Sequence, residues 1–335
     1  MKTRKHMLLA ALLFAGCFGS AKPSESPAVS VPSAFPPAPK HVVIVIEENR
    51  DFQGIVDDKR LPIIHSMIAA GTLFTHSRAV THPSLPNYFA LFAGKTNSDG
   101  DFCSDKPIDA AGDLPVNAGL AARMPTLGSE LLAAHRTFIG YAESLPSPGY
   151  VGCYGRGGSL FSVYYKRHVP WAFFTKAGHP GELAKDLNHY LLDDALNQPF
   201  DAFPKPGRYD DLPTVSIVVP NVKDDMHGTV LGDTEEGLDE DADAWLGRNI
   251  MPLVRWASDP KNATLVILTW DESDKRSGHA DTNDIPTIFV GSMVKQGNND
   301  EPITHYSVLA TIERFYGLGA MTQSDKVAPI QGCWK

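Results

Sequence analysis

His41-Val42-Val43-Ile44-Val45-Ile46 is a continuous apolar run, and it ends abruptly in Glu47-Glu48-Asn49-Arg50-Asp51. A run that is apolar at every position is typical of a parallel strand that is buried on both faces. Polar residues that follow such a strand lie at its carboxyl end, where ligands bind in open α/β sheets. The stretch therefore predicts an α/β fold with a site at the end of this strand.

Three further apolar runs have the same character, at residues 214–219, 264–269 and 286–290. The first is followed by Asn221 and the second by Asp271 and Glu272. Helical spacing of apolar residues and helix-breaking residues predict helices between these runs, at 61–70, 126–134, 180–196, 242–258 and 306–316. This alternation predicts a mostly parallel central sheet flanked by helices.

The length and charge of the chain limit the classes of partner. With 335 residues, the chain can bury a full core, and residues 41–335 are expected to form one domain. The net charge is −9 and no basic stripe is visible. Because binding to a phosphate backbone requires clustered Lys and Arg, we expect no nucleic-acid partner.

The first 17 residues are typical of a signal peptide. Lys2, Arg4 and Lys5 precede an apolar run at 7–16 that is too short to span a bilayer. Cys17 ends a lipobox-like segment, so lipidation of this residue would tether the protein to a membrane, while ordinary cleavage near Ala21 is the alternative. A linker rich in Pro and Ser follows at 18–40. We therefore expect an exported protein: periplasmic, secreted or an outer-membrane lipoprotein.

Export permits disulfide bonds among the remaining cysteines. We predict that Cys103 pairs with Cys153, which leaves Cys333 free or in an intermolecular bond. The spacing of these residues does not match a zinc ribbon.

Oxygen donors accumulate at the predicted strand ends. Glu48 and Asn49 follow the first strand, and Asp271 and Glu272 follow the strand at 264–269. A parallel sheet brings such ends together, and oxygen donors suit a hard divalent cation. We predict a metal site whose ligands also include a serine hydroxyl, with Mg, Mn, Ca and Zn all open: Glu48, Asn49, Ser84, Asp271 and Glu272.

The serine is Ser84, in the segment Thr81-His82-Pro83-Ser84-Leu85-Pro86-Asn87-Tyr88 that leads into an apolar helix. Pro83 and Pro86 restrict the backbone on both sides, so the hydroxyl is expected near a helix N-terminus. Free N–H groups and the positive end of the helix dipole favour an anion such as phosphate there. Ser84 is thus a candidate nucleophile, and the alternative is that it only caps the helix.

Four motifs, taken in order, resemble the bacterial phosphoesterases of the alkaline-phosphatase-like superfamily, which include secreted acid phosphatases and phospholipases C. They are the segments 48–52 (Glu-Asn-Arg-Asp-Phe), 82–88, 270–272 (Trp-Asp-Glu) and 305–307 (His-Tyr-Ser). The resemblance covers about 41–318, and segments 141–146 and 220–227 look closest to the short secreted acid phosphatases. Asn221 stands where two-zinc members carry Asp, and this difference favours one metal ion over two.

The resemblance implies an exported, metal-dependent acid phosphatase that hydrolyses phosphomonoesters, either small molecules or lipid phosphates. The expected route is a covalent phosphoserine on Ser84, which water hydrolyses in a second step. A protonated histidine is expected to act as general acid, which favours an acidic optimum. The candidate general acids are His227, His279 and His305, and the candidate phosphate-binding residues are Asn49, Asn87, Asn221 and Asp225.

Three alternatives differ in function class. A phosphodiesterase of the phospholipase C type would use the same groups, and a non-catalytic surface lipoprotein would only bind a ligand. The non-catalytic alternative is disfavoured because the candidate site residues are all intact: Ser84, Glu48, Asn49 and Asp271. A serine esterase requires a Gly-x-Ser-x-Gly elbow. In this chain, His82 and Pro86 stand at the two positions where the elbow needs glycine.

Overall fold

The computed structural model describes residues 35–96, 124–176, 190–229, 233–274, 282–321 and 323–335. The predicted signal peptide, Cys17, most of the linker, Cys103 and the candidate general acid His279 lie outside the described residues. The described residues belong to one compact unit.

The described residues contain ten strands and eight α-helices. The strands are β1 (His41–Glu47), β2 (Thr72–Phe74), β3 (Ser77–Arg78), β4 (Phe138–Ala142), β5 (Asn197–Pro199), β6 (Val215–Val219), β7 (Thr264–Trp270), β8 (Thr287–Val290), β9 (Gly297–Asn299) and β10 (Ile303–Thr304). The helices are α1 (Phe52–Val56), α2 (Pro62–Ala70), α3 (Ser84–Ala93), α4 (Leu127–Ala133), α5 (Gly158–Phe161), α6 (Glu235–Asn249), α7 (Met251–Ala257) and α8 (His305–Tyr316).

Eight of these strands form one sheet in the order β5-β4-β6-β1-β7-β8-β2-β9. β1 lies near the middle, parallel to β6 on one side and to β7 on the other, with Ile44 opposite Ile217 and Ile267. The carboxyl ends of β6, β1 and β7 therefore meet at one edge of the sheet. The predicted mostly parallel sheet is confirmed.

β8 differs from the other strands in its direction. The run at 286–290 was expected to follow the same pattern as the parallel strands, but β8 is antiparallel to both β7 and β2. Thr287, at its start, pairs with Thr269 near the end of β7. The chain thus turns back at the same edge of the sheet, whereas a parallel strand needs a crossover to the opposite edge.

Both faces of the sheet are covered by helices, which is why nearly every residue of its central strands is buried. Val42 and Ile44 pack into a core shared with α3, α4 and α8, while Val43 and Val45 pack into a second core with α2, α6 and α7. The predicted helix at 242–258 starts earlier than expected, at Glu235, and is divided into α6 and α7. Of the predicted helix at 180–196, residues 180–189 are outside the described part.

Two further predictions concern the cysteines and the membrane. Cys153 is disulfide-bonded, and Cys333 is a free thiol with 1% of its surface exposed. A thiol that is buried to this degree is not accessible to a second molecule, so of the two alternatives for Cys333 the structure favours the free thiol over the intermolecular disulfide. Within the ranges that the structure describes, none of the helices combines the length and the apolar character needed to cross a bilayer.

Candidate active site

Ser84 is the first residue of α3, and Pro83 precedes it as the N-cap. The Ser84 hydroxyl does not cap the helix. It lies 3.2 Å from Oε2 of Glu48 and 3.1 Å from Oε1 of Glu272, and donates towards both carboxylates. The side chain is 6% exposed. The contacts therefore place the hydroxyl among acids that come from two different strand ends.

The turn before α3 is held by the side chain of Asn87. Its Oδ1 accepts hydrogen bonds from the backbone N–H groups of Val80 and Thr81, at 2.9 and 3.1 Å. Its Nδ2 donates to the carbonyls of Thr81 and Pro83, at 2.8 and 3.3 Å. Asn87 was predicted to bind phosphate, but the structure places its amide on the backbone of the turn. Its contacts are those of a residue that positions Ser84.

Asn49 connects the ends of β1 and β7. Its backbone N–H donates to Oδ1 of Asp271 at 3.0 Å, and its Nδ2 donates to Oε2 of Glu48 at 3.0 Å. The φ angle of Asn49 is 51°, in the left-handed region that asparagine tolerates better than most residues. The five predicted metal ligands, Glu48, Asn49, Ser84, Asp271 and Glu272, are thus linked to one another by direct contacts.

A second set of side chains surrounds the other oxygen of Glu48. Oε1 accepts a hydrogen bond of 2.6 Å from the hydroxyl of Tyr88, and it lies 3.3 Å from Nε2 of His168. Nδ1 of His168 lies 3.4 Å from Oδ2 of Asp225. Asp225 also accepts from the backbone N–H of His227 at 2.8 Å. The residues Asp225 and His227, predicted from the end of β6, are thereby brought to the same site.

Burial controls the acid–base behaviour of these groups. Burial, and next the nearby Asp271 and Asp225, raise the pKa of Glu48 well above its ordinary value. Burial, followed by the charge of Glu272, raises the pKa of Asp271 to about 7. His168 changes in the opposite direction: burial, and then the neighbouring Arg167 and His227, lower its pKa, so the ring is neutral. Several carboxyl groups are thus confined together in a buried part of the molecule.

These side chains fit a divalent cation. Oδ2 of Asp271 is buried and has no hydrogen-bond partner among the described residues, although a buried polar oxygen normally has one. Glu48, His168 and His227 also offer ligand atoms that all lie within 4.8 Å of one another. Glu48 therefore lies between an oxygen-rich group of donors around Ser84 and an imidazole-rich group around His168.

Two predicted residues make their hydrogen bonds to groups other than Ser84. Asn221 donates from Nδ2 to Asp224 and from its backbone N–H to Glu143, at 2.9 and 3.0 Å, so its side chain organises the turn after β6. His305 contacts the carbonyl oxygen of Trp270 at 2.8 Å, behind Asp271. Burial lowers the pKa of His305 to about 4, so this ring is neutral at pH 5 and above. A neutral, enclosed ring is a poor general acid.

The sequence reasoning missed His168 and Tyr88. Tyr88 lies one turn of α3 beyond Ser84, so helical spacing was a usable indication of its place. His168 follows an irregular segment and no strand end marks it. Its neighbour Arg167 contacts His227 at 3.2 Å between Nη2 and Nε2, which closes the imidazole side of the site.

Behind the site, Arg50 supports Asn49. Its Nη1 donates to the carbonyl of Asn49 at 2.7 Å, while Nε forms a buried ion pair of 2.7 Å with Asp239 on α6. The ion pair fixes the guanidinium group and, through it, the unusual backbone of Asn49.

The family model described as the Phosphoesterase family matches residues 54–319 of this chain. The chain belongs to the phosphoesterase family. The family predicted from the four motifs is therefore confirmed.

This phosphoesterase is similar in sequence to two curated relatives and similar in fold to one solved structure. A phosphatidylinositol-3-phosphatase of Mycobacterium tuberculosis (strain ATCC 25618 / H37Rv) is 38% identical over 327 residues, which are 98% of this chain and 92% of that protein. An acid phosphatase of Aspergillus fumigatus is 27% identical over 84% of this chain, but the match spans only 56% of that protein. A protein of the alkaline phosphatase superfamily from Vibrio parahaemolyticus superposes with a TM-score of 0.55 at 14% identity, over 87% of this chain and 70% of that one. The alkaline-phosphatase-like fold is confirmed.

Proposed function

We propose that this phosphoesterase is a metal-dependent phosphomonoesterase that uses Ser84 as its nucleophile. The observation that carries the proposal is the position of the Ser84 hydroxyl, 3.1 and 3.2 Å from two buried carboxylates at the ends of different strands. A serine that served only to cap a helix would not need these neighbours. The names of the relatives agree with a phosphate ester as substrate.

In the first step, Oγ of Ser84 attacks phosphorus in line, the bond from phosphorus to the alcohol oxygen breaks, and a phosphoserine forms. The single proton of the hydroxyl passes to one of the two carboxylates within hydrogen-bond distance of Oγ, Glu48 or Glu272. A proton delivered to the departing alkoxide completes the step. Of the candidate general acids, His227 fits this role best among the described residues, because it is half-buried beside the site, whereas His305 is enclosed and neutral. In the second step, water attacks phosphorus, the bond from phosphorus to Oγ breaks, phosphate leaves, and Oγ of Ser84 regains a proton.

We propose one divalent cation (Mg, Mn, Ca or Zn), held by Glu48, Asp271 and Glu272 with Asn49 and Ser84. When bound, such a cation supplies a positive charge that stabilises the phosphoryl oxygens and favours the alkoxide form of serine. The imidazole-rich group of His168 and His227 with Glu48 provides a second set of donors close to it. Asp225 faces His168 and orients that ring.

The proposed substrate class includes lipid phosphates as well as small phosphomonoesters, because the relative that aligns with 98% of the chain is a phosphatidylinositol-3-phosphatase. A phosphodiesterase of the phospholipase C type would use the same side chains and is the alternative. We also propose export through the N-terminal segment, with either lipidation of Cys17 or cleavage near Ala21. Fractionation of cells that express the full chain tests export, and finding the protein only in the cytosol would contradict it.

Replacing Ser84 with alanine tests the nucleophile. We expect Ser84→Ala to lower phosphate release from p-nitrophenyl phosphate by at least about a thousandfold, because the variant lacks the oxygen that would form the bond to phosphorus. The matched control is Ser66→Ala, on the exposed side of α2, which should keep full activity.

Retention of a tenth or more of the activity by Ser84→Ala would refute the assignment. Running the intact protein on phosphatidylcholine in parallel distinguishes the diesterase alternative. Faster turnover of phosphatidylcholine than of the monoester would contradict the monoesterase proposal and support the phosphodiesterase.

A further inference from the structure

Residues 153–166 form a hairpin beside the active site. The backbone N–H of Lys166 donates to the carbonyl of Cys153 at 3.0 Å, and that of Gly155 donates to the carbonyl of Tyr164 at 3.2 Å. Tyr154 and Tyr165 form an antiparallel bridge between these pairs. The short helix α5 lies at the tip of the hairpin, and the disulfide-bonded Cys153 lies at its base.

The tip is apolar and exposed. Leu160 and Phe161 are 60% and 65% exposed, and they are adjacent in the chain. Among the described ranges, the one other large hydrophobic residue that is exposed is Leu132 on α4, at 39%. A pair of large apolar side chains presented together marks an interaction site more often than an isolated one does.

The base of the hairpin is continuous with the active site. Arg167, directly after the hairpin, stacks on Tyr165 at 4.2 Å and contacts His227. The backbone N–H of Val222 donates to the carbonyl of Val163 at 3.0 Å, which joins the hairpin to the segment that carries Asp225. His168 follows Phe161 by seven residues, so the tip lies at most ~25 Å from that ring along the chain.

We propose that Leu160 and Phe161 insert into the apolar boundary of a lipid surface and hold the active site against phosphorylated lipid headgroups. This inference rests on the proposed function, since it assigns the same site a substrate that is embedded in a membrane. Two side chains at a narrow tip offer far less area than the ~800 Å² per partner of a stable protein interface, whereas insertion into a bilayer needs only a few apolar side chains.

The charges of the hairpin favour the same partner. The protein carries a net charge of −9, yet the hairpin and its base carry the exposed Arg156 and the half-buried Arg167. Cationic side chains beside inserted apolar ones strengthen binding to anionic lipids and to phosphate groups on the headgroup. A partner protein that buries Leu160 and Phe161 is the competing occupant.

The experiment compares the intact protein, the double variant Leu160→Ser with Phe161→Ser, and the control Leu132→Ser. Each protein is assayed on p-nitrophenyl phosphate, on water-soluble dibutanoyl phosphatidylinositol 3-phosphate, and on phosphatidylcholine vesicles that contain long-chain phosphatidylinositol 3-phosphate. Binding to these vesicles is measured separately by sedimentation in the Ser84→Ala background, where the lipid is not consumed.

We expect the double variant to match the intact protein within about twofold on both soluble substrates, and to lose at least about tenfold in vesicle turnover and vesicle binding. The control Leu132→Ser should keep both its vesicle turnover and its vesicle binding. Unchanged vesicle binding by the double variant overturns the proposal, as does an equal loss on soluble and vesicle substrates. If the intact protein hydrolyses none of the substrates, the proposed function fails, and the sedimentation result alone decides whether the hairpin binds lipid.

Discussion

Glu48 is the residue through which most of the site is connected. One of its oxygens accepts from Ser84 and Asn49, and the other accepts from Tyr88 and lies against His168. The carboxylate has two oxygens with about four lone-pair positions, so it serves as the acceptor that orients all of these groups. Its complete burial makes each of these contacts stronger than it would be in water.

At the residue scale, removing the Tyr88 hydroxyl should affect turnover more than folding. Tyr88→Phe keeps the ring stacked on His168 and deletes the 2.6 Å bond to Glu48. We expect kcat to fall by about 10- to 100-fold, in line with the loss of a group that orients a metal ligand. Steady-state kinetics on p-nitrophenyl phosphate provide the measurement.

A matched control is Tyr164→Phe, because the Tyr164 hydroxyl is buried and no residue in the described part of the chain forms a hydrogen bond with it. Its removal should leave kcat within about twofold and the stability equal or higher. Equal losses of kcat in Tyr88→Phe and Tyr164→Phe would show that the loss comes from altered packing and not from the orientation of Glu48.

At the scale of elements, the position of Ser84 depends on the turn that precedes α3. The helix is buried along its whole length, so it is fixed to the core, but the turn before it contains few apolar side chains. Asn87 supplies the missing support from within the helix, by donating to and accepting from the turn backbone. The nucleophile is therefore positioned by a side chain from the next helical turn.

Replacing Asn87 with alanine should loosen this turn. We expect Asn87→Ala to lower the free energy of unfolding by about 1–3 kcal/mol, because N–H groups that are partly buried lose their acceptor. Urea denaturation gives the stability, and kcat should also fall since Ser84 is displaced. Asn298→Ala, at an exposed position of β9, should change the stability by less than about 0.5 kcal/mol. Wild-type stability in Asn87→Ala would contradict the role of this amide.

At the scale of the whole molecule, the sheet gathers acids that repel one another unless a cation is bound. The pKa of Asp271, raised to about 7 against an ordinary 3.8, means that the folded state retains a proton which the unfolded state loses near pH 4. Where the folded state binds more protons, stability falls as pH rises. The decrease should extend from about pH 4 to about pH 7.

The melting temperature in a chelator should therefore be lower at pH 8 than at pH 5. Adding the cation that restores activity should raise the melting temperature more at pH 8, because the ligands are then already deprotonated. Asp271→Asn is the comparison, since it keeps the shape and removes the titrating group. A melting temperature that increases from pH 5 to pH 8 in the chelator, or an equal decrease in Asp271→Asn, would contradict this explanation.

The sequence by itself determined the sheet class and much of the oxygen-rich half of the site. Continuous apolar strands must be buried on both faces, and the polar residues after them must lie at one edge, so Glu48, Asp271 and Glu272 could be assigned before any coordinates. The prolines around Ser84 likewise restrict the local backbone, which made the start of α3 predictable.

The tertiary structure alone decided the imidazole-rich half and the direction of β8. His168 lies far along the chain from Glu48, in a segment without periodicity, and only the folding of the hairpin base brings its ring within 3.3 Å of that carboxylate. Asn87 and Asn221 were predicted to bind phosphate, but they bind neighbouring backbone and side-chain groups. Which of these partners an asparagine binds depends on the geometry of the turn and not on the residue type. Spacing along a chain predicts which residues share a strand end, but contacts between irregular segments depend on how the whole molecule packs.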